Sequence, residues 1–196
     1  RYAPNNESRR RIRETHKVRE DDVLIIFVGR LILRKGVEEL IQTWKMMPNS
    51  CFIRLLIIGN RNSENDGLYN NVTNLVADDP RVQYLSWVDN IAEYFSAADI
   101  FFFPTRLEGF GLVAGEAMSS GLPVVTTCAQ GVTEVVNNHS ALMADIGDTA
   151  CLASHLEKLV ADRDLRQRMG SAGRKRIQEF FTWDVQVDRL ARLLSC

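Results

Sequence analysis

Residues 100–118 read IFFFPTRLEGFGLVAGEAM, and this stretch indicates the fold of the chain. Ile100 to Phe103 is a short apolar run that ends at Pro104, as expected for a buried strand, because proline interrupts the hydrogen-bond ladder of a sheet. The glycines that follow allow a sharp turn, and the spacing from Gly111 to Ser120 predicts a helix. The stretch therefore predicts a strand, a glycine-rich turn and a helix in direct succession.

The same alternation of apolar strands and helices extends along most of the chain. Continuous apolar runs indicate parallel strands that are buried on both faces. The predicted strands are Val23–Val28, Ile53–Ile58, Val82–Leu85, Ile100–Phe103, Val124–Thr127 and Ala141–Ala144. From Asp148 onward the pattern is helical, with breaks near Asp162 and Thr182, and Trp183 is expected to anchor the last helix. This order predicts an α/β fold with a doubly wound, Rossmann-like parallel sheet and C-terminal helices.

Length, charge and composition limit the domain count and the class of function. The 196 residues suffice for one domain with a full core, which we assign to residues 23–196. Residues 1–22 are interpreted as a linker or basic surface segment with a solvated helix between Asn6 and Val18. The net charge of −1 argues against nucleic-acid binding, and no apolar run reaches the ~20 residues that span a bilayer. The four scattered cysteines favour reduced thiols in a cytoplasmic protein over a zinc site.

Two loops place phosphate-binding groups after predicted strands, where ligands bind in parallel sheets. After the first strand, Arg30 and Lys35 offer a guanidinium fork and a compact ammonium to a diphosphate, although isolated loop cations are more often only solvated. This loop matches neither a dinucleotide-binding fingerprint nor a P-loop. After the fourth strand, the predicted helix start at Gly111, Leu112 and Val113 offers free N–H groups and a positive dipole end to an anion.

Glu108 and Glu116 flank that helix start and form the most informative pair in the chain. Helical side chains lean toward the N-terminus, so Glu116 reaches back over the first turn, while Glu108 lies in the preceding loop. Each glutamate alone is compatible with an ordinary surface role, which for Glu116 near the positive dipole end is worth ~0.3–1 kcal/mol. Together they suit a phosphate between two sugar rings, as in a nucleoside diphosphate sugar. A glycosidase carboxylate pair is disfavoured, because an anion site lies between the two acids.

The spacing of Glu108 and Glu116 resembles the Glu-x7-Glu signature of retaining glycosyltransferases with the GT-B fold, in particular glycosyltransferase family 4. Further similarities are Val28-Gly29-Arg30-Leu31 with Lys35-Gly36, Ala97-Ala98-Asp99-Ile100, Gly121-Leu122-Pro123-Val124-Val125 and Gly131-Val132-Thr133-Glu134. The resemblance extends from about Val23 to Leu194. It implies that the chain is the C-terminal, donor-binding half of a GT-B fold.

The resemblance also implies a role for each candidate residue in a hexosyltransferase. Arg30 and Lys35 would act in catalysis by binding the diphosphate and neutralising the departing nucleotide. Glu108 would contact the transferred sugar, and Glu116 would hold the ribose hydroxyls. The other implied contacts are Gly109 and Phe110 near the sugar ring, the amides of Gly111, Leu112 and Val113 at the phosphates, and Gly59, Asn60, Trp87 and Val88 at the base.

No metal and no other cofactor is expected, because cations and a helix dipole would stabilise the leaving diphosphate. Asp162-Arg163-Asp164 matches a metal-binding Asp-x-Asp motif only formally, and its place between two helices predicts a helix cap.

The expected partners are a nucleotide-sugar donor and a sugar or lipid-linked acceptor, the latter bound by an N-terminal domain outside these residues. The resemblance therefore implies weak or no transfer by this domain alone, and it is compatible with peripheral association of the full-length protein with the cytoplasmic membrane. A non-enzymatic nucleotide-sugar-binding module is the alternative, and an epimerase of the same fold ranks below both. The nucleotide (UDP, GDP or ADP), the sugar and the acceptor stay open.

Overall fold

The computed structural model describes residues 2–61 and 66–194, which form a parallel sheet packed between helices. The strands are β1 (Val23–Val28), β2 (Ile53–Ile58), β3 (Val82–Leu85), β4 (Ile100–Phe103), β5 (Val124–Thr127) and β6 (Ala141–Ala144). The helices are α1 (Asn6–Thr15), α2 (Val37–Met46), α3 (Asp66–Asp78), α4 (Ile91–Ala97), α5 (Leu112–Ser119), α6 (Val132–Val135), α7 (Thr149–Ala161), α8 (Arg163–Phe180) and α9 (Trp183–Leu194). A short 3-10 turn, Leu33–Lys35, precedes α2.

The sheet has the strand order β3-β2-β1-β4-β5-β6, and every neighbouring pair is parallel. This is the order of doubly wound nucleotide-binding folds, in which the direction of strand addition reverses between β1 and β4. Each strand begins and ends at its predicted residues. The side chains of Ile25, Ile26 and Phe27 in the central strand β1 are fully buried, because both faces of the sheet are covered. The prediction of a doubly wound α/β fold is confirmed.

The reversal of strand order brings the loops after β1 and β4 together at the carboxyl edge of the sheet. Crossover connections between parallel strands are right-handed, so the reversal places α2 and α3 on one face and α5 and α6 on the other. Helix α7 packs on α2, and α8 packs on α5. At the reversal, the backbone N–H of Arg106 donates to the carbonyl of Arg34 at 2.9 Å. The two loops that carry the predicted phosphate and sugar contacts are therefore neighbours.

Helix α1 packs against the domain instead of standing in solvent. Ile12 and Arg13 are 3% and 5% exposed, and α1 lies on α4. The Arg13 guanidinium donates to the carbonyl of Ala97 at 2.9 Å, to that of Asp22 at 2.6 Å and to the Asp99 carboxylate at 3.1 Å. The interpretation of a solvated helix is therefore wrong for this face. The basic side chains of α1 donate hydrogen bonds to the carbonyl groups at the end of α4. The dipole of α4 also favours a positive charge at this end.

The start of α9 is exposed, and Trp183 does not anchor it. The Trp183 side chain is 85% exposed, so that expectation is wrong. None of the described helices is long and apolar enough to cross a membrane. Cys51, Cys128 and Cys151 are free thiols, and Cys196 lies outside the described residues.

Candidate functional site

A cavity of about 290 Å³ opens at the carboxyl edge of the sheet, between the loops after β1, β2 and β3 and the helix α5. Six of the residues predicted as ligand contacts lie on its wall, namely Arg30, Gly59, Asn60, Trp87, Val88 and Glu116. Ser86, Asp89 and Ile91 also line the cavity and were missed from sequence. The signal that identifies them is their position after β3, since each strand end contributes to this edge.

Gly59 determines how closely the loops after β1 and β2 approach. A Cβ atom at this position would lie 1.8 Å from the carbonyl oxygen of Gly29, so no larger residue fits without a backbone shift. The carbonyl of the next residue, Asn60, accepts a hydrogen bond from the N–H of Leu31 at 3.1 Å. Backbone atoms of the two loops therefore form this part of the cavity, and a backbone hydrogen bond fixes their positions. The Trp87 side chain lines the same cavity and is 69% exposed, which leaves a flat apolar surface open to a ligand ring.

The start of α5 presents unpaired backbone donors. Gly111 is the N-cap residue with φ of 75°, a left-handed conformation that glycine adopts without steric cost, and no side chain caps the helix. The N–H groups of Gly111, Leu112 and Val113 have no acceptor among the residues that the structure describes. These are the groups predicted to bind phosphate, and they are free to do so.

Arg30 and Glu116 bring opposite charges to the wall of the cavity. Arg30 is exposed, Glu116 is half-buried, and neither forms an ion pair with a side chain in the described ranges. Both groups therefore have their hydrogen-bonding capacity available to a ligand. A guanidinium suits phosphate oxygens, and a carboxylate suits hydroxyl groups.

Lys35 and Glu108 lie beside this cavity and are bound to each other. The Lys35 ammonium donates to the Glu108 carboxylate, and the two side chains are 14% and 9% exposed. The hydroxyl of Thr105 lies 3.2 Å from the same carboxylate oxygen. Two residues that were expected to contact adjacent parts of one ligand are thus adjacent in space, and their charges neutralise each other.

A model of the family described as glycosyl transferases group 1 matches residues 8–176. This chain belongs to that glycosyltransferase family. The match begins within α1, so it includes part of the segment that sequence analysis separated from the domain.

Known proteins support the same assignment for this group 1 glycosyltransferase domain. CapM, a capsular polysaccharide biosynthesis glycosyltransferase of Staphylococcus aureus, is 34% identical over 187 residues, which cover 92% of this chain and 48% of CapM. The C-terminal domain of the group 1 family protein LpcC from Francisella tularensis aligns with a TM-score of 0.80 and 21% identity, covering 93% of this chain and 96% of that chain. HepE of Anabaena in complex with UDP-glucose aligns with a TM-score of 0.85 and 23% identity, covering 100% of this chain and 54% of that chain. The fold is that of the C-terminal half of a GT-B protein, and the chain spans about half the length of CapM.

In this glycosyltransferase domain the loop after β4 is held by ion pairs that sequence analysis did not find. Arg106 donates from Nε to Glu39 at 2.6 Å and from Nη2 to Glu38 at 3.1 Å. The hydrogen bond to Glu39 is the main cause of the raised pKa of Arg106. The N–H of Glu108 donates to the carbonyl of Gln130 at 3.2 Å. Contacts on both sides therefore fix the backbone that carries Glu108.

Gly109 and Phe110 lie outside the lining of the cavity. The ring of Phe110 packs edge-on against Phe181 with centroids 5.9 Å apart, and no described residue would lie within 4 Å of a Cβ atom at Gly109. Their contact with a sugar ring stays a prediction.

The Asp-x-Asp sequence of this glycosyltransferase domain is a helix cap, as predicted. The side chain of Asp162 accepts a hydrogen bond from the N–H of Leu165 at 2.8 Å, at the start of α8. In the part of the chain that the structure describes, no three His, Cys, Asp or Glu side chains are grouped as metal ligands.

Proposed function

We propose that this chain binds the nucleoside diphosphate sugar of a retaining hexosyltransferase, and that a second domain binds the sugar or lipid-linked acceptor. The observation that supports the proposal best is the arrangement of Arg30, Glu116 and the free N–H groups of α5 at one edge of the sheet. A diphosphate needs cationic and N–H donors, and a ribose needs an acceptor. The UDP-glucose in HepE, which has the same fold, supports this class of ligand.

Each part of the donor meets a matching group in this proposal. The base lies against Trp87 and Val88, and Glu116 accepts from the ribose hydroxyls. The diphosphate lies between Arg30 and the start of α5. The transferred sugar extends from there toward Glu108. The order of these groups along the carboxyl edge therefore follows the order of the parts in a nucleotide sugar.

Lys35 changes its partner when the donor binds. In the structure it is paired with Glu108. A diphosphate at the start of α5 competes for the ammonium, because phosphate carries more charge than a carboxylate. Loss of the pair leaves the Glu108 carboxylate free to accept hydrogen bonds from sugar hydroxyls. Binding of the nucleotide thus prepares the contact with the sugar.

Catalysis in this proposal requires no metal ion. The leaving diphosphate develops negative charge as the bond to the sugar breaks, and fixed positive groups lower the energy of that state. Arg30, Lys35 and the dipole of α5 supply such groups. The retaining outcome is proposed from the resemblance to the Glu-x7-Glu glycosyltransferases.

The second domain is proposed to face the carboxyl edge of the sheet. Leu107 and Ile146, in loops at this edge, are 49% and 50% exposed, and Leu112, the first residue of α5, is 71% exposed. Exposed apolar side chains around a polar site are typical of a surface that contacts another domain or a ligand. The chain covers 48% of CapM, which leaves length for such a domain in that relative. Cytoplasmic location and peripheral membrane association are proposed for the whole protein.

Titration calorimetry with UDP, GDP and ADP, and with their glucose conjugates, tests the proposal. We expect one nucleotide to bind with equal affinity in the presence and absence of EDTA. Glu116→Gln should weaken binding of the bare nucleotide by roughly 10-fold to 100-fold, the value of a lost hydrogen bond to a charged group. Glu157→Gln, a change at an exposed position of α7, is the matched control and should bind as the unmodified chain does.

Glu108→Gln distinguishes the role of the Glu108 carboxylate from that of the Glu116 carboxylate. It should weaken binding of the sugar conjugate, while the bare nucleotide binds at least as tightly as before because Lys35 is released. Absence of binding by all the nucleotides would contradict the proposed function. Loss of binding in EDTA would contradict the metal-free part, and equal weakening of the bare nucleotide by both changes would contradict the division of roles.

A further inference from the structure

A second cavity, of about 660 Å³, lies at the amino edge of the sheet. It is at the opposite end of the strands from the first cavity, which Arg30 and Glu116 line and which we call the donor site. Asp99 and Pro123, which directly precede β4 and β5, are part of the wall of the second cavity. The start of α1 and one face of α8 form the other walls. This volume lies within the ~300–1,000 Å³ that small-molecule sites typically enclose.

The wall formed by α8 is cationic. Arg163, Arg166 and Arg174 line the cavity together with Gln167 and Ser171. These positions recur at helical spacing, so they share one face of α8. The helix contributes no carboxylate to the lining.

Asp99 on the opposite wall is already neutralised. Its carboxylate accepts from Arg9 at 2.8 Å and from Arg13 at 3.1 Å, and the N–H of Leu24 donates to it at 2.8 Å. Its charge is therefore directed toward α1 and the start of β1. It also acts on Arg166 of α8, whose pKa it raises.

Asp22, a second carboxylate of the lining, is neutralised in the same way. It pairs with Arg19 at 3.2 Å and with Arg54 at 3.3 Å, and its side chain is fully buried. The remaining acids of the lining, Glu20 and Asp21, are exposed and belong to the turn before β1. The positive wall and the two exposed carboxylates therefore lie on different elements.

The arginines of α8 keep donors that the protein does not use. Arg166 donates from Nη1 to the carbonyls of Leu159 and Val160, the latter at 2.9 Å, and Arg174 donates from Nη1 to the carbonyl of Ser119. A guanidinium has five N–H donors, so each retains several. Arg163 forms no ion pair with any side chain in the described ranges.

The pKa of Arg166 is lowered mainly by the burial of its guanidinium. Among the nearby charges, Asp99 raises this pKa, and Arg163 lowers it by a smaller amount. An anion between the guanidinium groups would reduce their repulsion and fill the unused donors.

We propose that this cavity binds a soluble, phosphate-bearing small molecule through Arg163, Arg166 and Arg174. The cavity is larger than a phosphate needs, so the ligand carries a polar body of about the size of a sugar. Gln167 and Ser171 offer it hydrogen bonds, and the phosphate lies against α8. This site is separate from the donor site and does not depend on the function proposed for it.

Nuclear magnetic resonance of the ¹⁵N-labelled chain, titrated with glucose 6-phosphate, locates the binding. We expect the amide signals of Gly121 and Ser171 to move. The Arg30→Ala variant should bind glucose 6-phosphate with the same affinity as the unmodified chain. Arg163→Ala combined with Arg174→Gln should weaken this binding by about tenfold or more, as expected for lost charge-assisted hydrogen bonds. Lys175→Ala is the control, because this exposed residue of α8 pairs with Glu179 at 3.7 Å and does not line the cavity.

Arg163→Ala alone keeps the test independent of folding, because this exposed side chain holds no other element in place. Signal changes confined to Gly59 and Gly111 would place the ligand at the donor site and overturn the proposal. An absence of change at millimolar glucose 6-phosphate, or unchanged affinity in the double variant, would also overturn it. Arginine-dependent flotation with phosphatidylglycerol vesicles, without a response to glucose 6-phosphate, would replace the soluble ligand by a lipid surface.

Discussion

Replacing Lys35 by methionine tests whether the ion pair with Glu108 exists in the ligand-free protein. The two side chains are 14% and 9% exposed, so the pair is largely shielded from water. Methionine keeps most of the length of the lysine stem and removes its charge. The Glu108 carboxylate then retains the Thr105 hydroxyl, 3.2 Å away, as a neighbour but has lost its cation.

The expected loss of stability follows from the burial of Glu108. Removing one partner of a buried ion pair typically costs about 3–5 kcal/mol, because the other charge stays buried without compensation. Because 9% of the Glu108 side chain stays exposed, we expect a loss of stability at the lower end of this range, about 3 kcal/mol. In a domain of this size, 1 kcal/mol shifts the melting temperature by about 2–4 °C, so Lys35→Met should melt ~6–12 °C lower.

A double-mutant cycle isolates the pair from other effects of each substitution. Glu108→Gln removes the buried charge, so adding it to Lys35→Met should recover a large part of the lost stability. We expect a coupling energy of about 2 kcal/mol between the two positions, within the ~0.5–3 kcal/mol found for residues in contact.

Urea denaturation followed by circular dichroism measures the four free energies of unfolding. Lys45→Met, an exposed position on α2, is the control for the substitution itself and should change stability by less than about 0.5 kcal/mol. If the effects of Lys35→Met and Glu108→Gln add to within about 0.5 kcal/mol, the two side chains do not interact in the ligand-free protein. The exchange of partners proposed for Lys35 would then be wrong.

Two further predictions concern stability. The Arg81 side chain lowers the pKa of Asp79 from 3.8 to about 2, a difference worth about 2 kcal/mol that is present above pH 3.8 and lost as the pH falls through about 2. Asp79→Asn should therefore be about 2 kcal/mol less stable than the unmodified chain at pH 7. Urea denaturation should show this difference in the free energy of unfolding shrink as the pH falls from 3.8 to about 2, and a difference that persists at about pH 2 would refute the assignment to the Asp79 carboxylate. Gly59→Ala should lose about 1–3 kcal/mol or more, because its Cβ atom would lie 1.8 Å from the Gly29 carbonyl oxygen. Gly67→Ala, where no described residue lies within 4 Å of the added atom, should be neutral or up to ~1 kcal/mol more stable in the same thermal melts. Equal losses in both variants would contradict the packing argument.

The strands were predictable because their signal is local. A run such as Ile53–Ile58 is apolar at each position except Arg54, and Gly59 ends it, so its length and type follow from neighbouring residues. The doubly wound sheet follows from the alternation of such runs with helices. The position of Glu116 one turn into α5 was predictable for the same reason, because helical geometry fixes side chains only a few residues apart.

The basic charge of α1 was misread because its partner is distant in sequence. Arg13 and the carbonyl of Ala97 are 84 positions apart, and no pattern near Arg13 shows that α4 ends beside it. The arginine spacing on α8 likewise gives no sign that α1 closes a cavity opposite it.

The sequence by itself determined the sheet, the edge at which we propose that a ligand binds and most of the predicted contact residues that lie at that edge. Only the tertiary structure decided which of those side chains meet each other. Lys35 and Glu108 are 73 positions apart, and they pair because strand order reverses between β1 and β4 and brings their loops together. Local periodicity depends on residues within a few positions, whereas such a pair depends on the path of the whole chain between them.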